Sequence, residues 1–167
     1  MGGVVQISGA GVEAAASAGA RSPETYVGYE KARGFADASA APDKAHAYVL
    51  PTTLAVNDWG LAGTWTVGPE HAALDAAGGS ITYRFHARDL HLVLGPAASG
   101  KPIRFRVRLD GAAPGADHGT DTDAQGNGII SGQRLYQLVR QAGPARDRTF
   151  EIEFLDPGVQ AFAFTFG

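Results

Sequence analysis

Residues 102–111 read PIRFRVRLDG. Ile103, Phe105, Val107 and Leu109 fall at every second position, with Arg104, Arg106 and Arg108 between them. In an extended chain successive side chains point to opposite faces, so this segment has one dry face and one wet face. That is the pattern of a half-buried antiparallel strand, and no helix can gather those four apolar residues on one stripe.

The same period recurs on both sides. SITYRFHA puts Ile81, Tyr83 and Phe85 opposite Thr82, Arg84 and His86. DLHLVLG places Leu90, Leu92 and Leu94 together, and TFEIEFLDPG sets Phe150, Ile152 and Phe154 against Glu151 and Glu153. In QAFAFTFG, Phe162, Phe164 and Phe166 alternate with small residues, and LAGTWTVG puts Leu61, Trp65 and Val67 on one side. RLYQLVRQ fits a helix through Leu135, Leu138 and Val139, but its neighbours favour a strand. Clusters of Gly, Pro, Asp and Asn such as GPAASGKP, DAQGNG and LDPG separate the runs, because these residues supply positive or preset φ for turns. Many short strands with regular turn signals predict an all-β fold, a jelly-roll β-sandwich over residues 23–167.

Upstream the pattern weakens. GVEAAASAGARS reads as a linker or the remnant of an upstream domain, so residues 1–22 are set apart from the sandwich. In SPETYVGYEKARGF, Ser22 suits a helix cap, Pro23 a first turn and Glu24 the helix dipole. Gly28 and Gly34 limit this to a short helical or irregular segment.

The 167 residues suffice for one well-cored domain. A net charge of -3 gives no electrostatic footprint for nucleic acid. The absence of cysteine removes disulfides, thiolate metal sites and thiol redox chemistry from this chain. No apolar run approaches the roughly 20 residues of a membrane-spanning helix, and residues 1–20 lack the basic and apolar segments of a signal peptide.

GTDTDAQGNGII, residues 119–130, imitates half of a calcium loop. Counted from Asp121, the twelfth position is Gly132, which offers no carboxylate, so an EF-hand is excluded. A looser structural calcium site would draw on Asp117, Asp121 and Asp123. A catalytic reading would pair Asp121 with Asp123, roughly 7 Å apart along a strand, beside His118. A polar, Gly-rich hairpin gives such a pair no desolvation to split its pKa values, so a tight turn is the favoured reading. The five histidines show no HxH or HxxxH spacing, and no GxSxG, HExxH, P-loop or strand-borne GxGxxG occurs.

Candidate ligand contacts are Trp59, Arg84, His86, Arg104, Arg106, Arg108 and Tyr136. Planar guanidinium groups on one sheet face suit anions and sugar hydroxyls, and Trp59, in NDWG, suits an exposed stacking platform. The competing reading of the arginines is a solvated face paired with Glu151 and Glu153. A different surface, built from Val27, Tyr29 and Phe35, would serve packing against another protein or a second copy.

SPETYVGYEKARGF, ITYRFHARDLHLVLGP, FRVRLDGAAPGADHGTDTDAQGNG, RLYQLVRQ and TFEIEFLDPGVQAFAFTFG together resemble the C-terminal domain of DipZ-type proteins, from about Pro23 to Gly167. That family comprises bacterial thiol–disulfide proteins associated with cytochrome c biogenesis and related thioredoxin-like chains. The resemblance implies a domain similar to carbohydrate-binding modules, following a thioredoxin-like domain on the extracytoplasmic side of the membrane. The partner expected from the sheet face is a glycan or a protein client, beside the upstream thioredoxin-like domain that the resemblance implies, with no cofactor expected beyond structural calcium at Asp117, Asp121 and Asp123. With no CxxC here, the family's redox chemistry attaches to no residue of this chain.

Overall fold

A computed structural model of the chain describes residues 21–37 and 39–167. The linker expected over residues 1–22 lies almost wholly outside the described residues. In chain order the strands are β1 (Thr25–Tyr26), β2 (Ala45–Tyr48), β3 (Trp59–Val67), β4 (Ala72–Leu74), β5 (Ser80–Ala87), β6 (Asp89–Gly95), β7 (Ile103–Leu109), β8 (Asn127–Ile130), β9 (Arg134–Arg140), β10 (Arg146–Phe154) and β11 (Gln160–Phe166). One 3-10 turn, Gly115–Asp117, interrupts them, and no α-helix forms among the described residues. The chain is an all-β jelly-roll sandwich.

All strand pairs are antiparallel. One layer runs β8-β7-β10-β5-β3 and the other β3-β4-β11-β6-β9, with β2 also on β3 and β1 also on β11. β3 belongs to both. Its first half, Trp59–Ala62, pairs with β5, and its second half, Gly63 to Val67, pairs with β2 or β4. The switch falls at Gly63, whose φ of 99° is closed to most side chains and whose missing Cβ would sit 2.8 Å from the Gly79 Cα.

The dry faces meet between the layers. Phe105, Phe150, Phe154, Tyr83 and Phe85 of one layer face Leu90, Leu92, Leu94, Tyr136 and Phe164 of the other, each at most 1% exposed. Aromatic pairs cross the gap, with Tyr83 and Phe164 centroids 4.8 Å apart and Trp65 and Phe154 5.9 Å apart, near edge-on. The buried Thr25 and Tyr83 hydroxyls, 2.7 Å apart, tie β1 to the opposite layer. Burying each such large apolar side chain contributes about 1.5–3 kcal/mol against the entropy of ordering the chain.

Three expectations change. The segment after Ser22 forms β1 and a turn instead of a helical turn. Ser22, 3% exposed, accepts the His86 N–H and donates to Asn57 Oδ1. Of the three residues expected to form an apolar packing surface, Val27 is buried, Phe35 is half-buried against Tyr48 and Trp59, and Tyr29 stands outside at 40% exposed. Phe162 leaves the core, because a β-bulge between Ala161 and Ala163 shifts the register of β11 against β6. Ala161 and Phe164 therefore point inward while Phe162 faces out. RLYQLVRQ forms β9 as expected, with Tyr136 and Leu138 in the core and Leu135 outside.

Candidate functional site

The arginines stand on the outer face of the β8-β7-β10-β5-β3 layer. β10 runs between β7 and β5, so its acids separate Arg104, Arg106 and Arg108 from Arg84 and His86. Glu151 lies opposite Arg108 and Glu153 opposite Arg106. Arg108 contacts both carboxylates at 3.5 and 3.4 Å, and Arg104 grips Asp156 with two nitrogens at 2.8 and 3.0 Å. Those bonds and the Arg104 backbone N–H hold the Asp156 carboxyl down at about 2. His86 Nδ1 is 2.8 Å from Asp147, Arg106 donates to Asn127, and Arg84 reaches the Leu54 carbonyl at 3.5 Å. The face is a lattice of cross-strand partners whose solvent-screened pairs add little to stability.

The two aromatic candidates are corrected. Trp59 is 1% exposed, and its indole N–H donates to the Arg33 carbonyl at 2.8 Å. The expected platform is covered because Phe35 lies 4.7 Å from its ring and the Gly34–Ala36 backbone bonds to Trp59 on both sides. Tyr136 is fully buried, its hydroxyl donating to Gly132 O at 2.6 Å. Neither ring can stack on a sugar.

The aspartate loop is a turn. Asp123 Oδ1 accepts the Gln125 and Asn127 N–H groups at 3.0 and 2.9 Å, and the Gly126 N–H returns to the Asp123 carbonyl. Asp121 faces away, gripped by Arg134 at 2.8 Å and by the Gln137 N–H at 2.7 Å. Asp117 accepts the Ala142 N–H at 2.7 Å and Arg148 at 3.1 Å. The calcium set of Asp117, Asp121 and Asp123 is thus dispersed, and no group of three His, Asp or Glu side chains suited to a metal occurs among the described residues.

The catalytic pair fares no better. The Arg134 hydrogen bond lowers the Asp121 pKa and the Asn127 N–H lowers that of Asp123. Acid–base work needs the two split, and here both move down. His118 Nδ1 sits 2.7 Å from its neighbour's carbonyl, Gly119 O, which places the ring proton there.

The opposite layer holds what the sequence reading missed. After β1 the chain is zipped to the β3–β4 turn, with Tyr29 N donating to Gly68 O and Glu30 N to Pro69 O. Gly28 permits this approach, since a Cβ there would meet the Pro69 oxygen and Glu70 carbon at 2.4 Å. The zipped segments make one wall, carrying Glu30, Lys31 and Glu70, and Gln133 from the β8–β9 turn makes the other. The floor is Tyr26, Phe162, Ala163 and Val93 on the outer side of β1, β11 and β6. The groove encloses about 280 Å³. Tyr26 is 37% exposed, Phe162 is half-buried against His71 at 5.1 Å, and Lys31 Nζ lies 5.4 Å over the Tyr26 ring. Outward aromatic rings ringed by carboxylates, an ammonium and an amide can hold a ligand that has both apolar faces and hydroxyl or amino groups.

The fold is that of a β-sandwich domain with a groove across one sheet. Residues 22–167 match the family described as the thioredoxin-like C-terminal domain, and the chain belongs to that family. It is 25% identical over 154 residues to Protein DipZ of Mycobacterium bovis and, equally, of Mycobacterium tuberculosis. The match takes in 89% of this chain and 19% of those proteins, so the chain spans about a fifth of the length of these relatives. Among solved structures, a family two carbohydrate esterase from Clostridium thermocellum in complex with cellohexaose superposes with a TM-score of 0.42, at 16% identity over 59% of this chain and 27% of that one. CsCBM6-3 from Clostridium stercorarium in complex with cellobiose gives 0.35, at 17% identity over 78% and 86%.

Proposed function

We propose that this is a non-catalytic accessory domain that binds carbohydrate through the groove across β1, β11 and β6. The observation that carries the reading is the outward pair Tyr26 and Phe162, set in a groove whose walls bear carboxylates, an ammonium and an amide. Flat apolar ring faces suit the C–H faces of pyranose rings, and the surrounding polar groups suit their hydroxyls. Membership of the thioredoxin-like C-terminal domain family supports an accessory role beside a thiol–disulfide domain supplied by another part of a longer protein, on the extracytoplasmic side. The chain itself holds no cysteine for that chemistry, and no helix among the described residues is long and apolar enough to cross a membrane.

Calorimetric titration with soluble oligosaccharides and cell-wall polysaccharides tests the reading. Saccharide binding is expected for the native chain and is expected to fall at least about tenfold in Tyr26→Ala and Phe162→Ala, the loss of one ring contact. Saccharide binding that survives both substitutions would place the site elsewhere.

A further inference from the structure

The groove carries a charge pattern that the binding reading leaves unused. Glu30 and Glu70 stand on one wall, and Glu24 approaches the floor, its carboxylate accepting the Tyr26 hydroxyl at 3.2 Å. Lys31 is the single ammonium there, and it lies over the Tyr26 ring. None of the three glutamates joins an ion pair among the described residues. Elsewhere among the described residues eight carboxylates join ion pairs, among them Asp121 with Arg134, Asp117 with Arg148 and Asp156 with Arg104, while Asp37, Asp43, Asp58, Asp75 and Asp123 do not. A groove with exposed rings and three carboxylates outside any ion pair, against one cation, attracts positive charge.

Resting on the carbohydrate reading, we infer that the groove selects saccharides bearing free amino groups. A glucosamine-type ring offers a C–H face for Tyr26 or Phe162 and an ammonium for Glu30 or Glu70. The ammonium also gains from the π face of the same ring it stacks against. Its N-acetylated counterpart keeps the apolar face and loses the charge. A neutral glucose-type ring does the same.

The test compares a glucosamine oligomer, the same oligomer fully N-acetylated and a cello-oligosaccharide of equal length. They are titrated into the native chain at mildly acidic pH and low salt, with oligolysine as a charge-only probe. The glucosamine oligomer is expected to bind about five- to tenfold tighter than the other two, as two partly exposed ion pairs allow. The preference is expected to shrink at high salt and to disappear in Glu30→Gln/Glu70→Gln, both exposed positions whose change leaves the core intact. Equal or tighter binding of the N-acetylated or neutral sugar overturns the amine preference and leaves the carbohydrate reading standing. A preference that persists in the double variant also overturns it. Failure of every saccharide, whether or not oligolysine binds, overturns both.

Discussion

Arg148 is 8% exposed and bridges two connections at one end of the sandwich, β7–β8 through Asp110 and Asp117 and β9–β10 through Gln141. Its Nε donates to Asp110 Oδ2 at 2.6 Å, and its Nη1 donates to Asp117 Oδ2 at 3.1 Å and Gln141 Oε1 at 3.3 Å. Replacing it with methionine keeps the stem's apolar contacts and removes all three bonds. Stranding a fully buried partner would cost about 3–5 kcal/mol. Here Asp110 is 50% exposed and Asp117 22%, so water recovers much of that loss. Both also keep backbone donors, Thr149 N for Asp110 and Ala142 N for Asp117, and Gln141 still reaches the Ala87 carbonyl. About 2 kcal/mol remains, from the lost charged bonds and the stranded Gln141 oxygen. For a chain of this size that lowers Tm by about 4–8 °C.

Urea unfolding followed by circular dichroism gives the free energy, and pH supplies the second readout. Burial pushes the Asp110 carboxyl up, but the Thr149 N–H and Arg148 outweigh it, and the Ala142 N–H and Arg148 lower that of Asp117. Carboxyls lowered on folding stabilise above the unfolded value of 3.8 and lose that contribution as pH falls through the lower folded values. The gap between native and Arg148→Met is therefore expected in full at neutral pH and reduced below about pH 4. Lysine, with one compact ammonium, is expected to restore only part of it. A methionine variant as stable as the native chain at neutral pH would refute the reasoning.

Three further outcomes follow from other contacts. Asp156 is expected to titrate near 2 by NMR, held down by Arg104, and a titration near the ordinary 3.8 would mean the paired state is not populated. Gly28→Ala is expected to lose about 1–3 kcal/mol in chemical unfolding, because the new Cβ meets the Pro69–Glu70 backbone, and to weaken saccharide binding by displacing one wall of the groove. Unchanged stability would show that the turn yields freely. Trp59 and Trp65 are both buried with their N–H groups satisfied, so emission is expected to be blue-shifted, poorly quenched by acrylamide and unmoved by saccharide. A ligand-induced shift would return Trp59 to the surface.

The strands were legible because alternation survives burial on one face only. Ile103 to Leu109 and Phe150 to Phe154 lie in the structure as their spacing dictates. Phe162 was not legible. It keeps the two-residue rhythm of its neighbours, and only its place as the extra residue of a bulge, set by how β11 pairs with β6, turns it outward. Trp59 misled for a related reason: its local sequence is turn-like, and the cover over it comes from Phe35, 24 positions upstream. The carboxylates at 117, 121 and 123 share a stretch of chain but answer to arginines at 148 and 134 and to backbone at 125 and 127, which no spacing rule couples. Groove residues come from five separate segments, and each one looks like ordinary surface on its own.

The strand that turns at Gly63 has a thermodynamic consequence. With hydrogen bonds into both layers, β3 is a shared hinge pin, and neither layer can melt while the other keeps its edge. Heating should therefore give one calorimetric peak whose van't Hoff and measured enthalpies agree, as one cooperative unit requires.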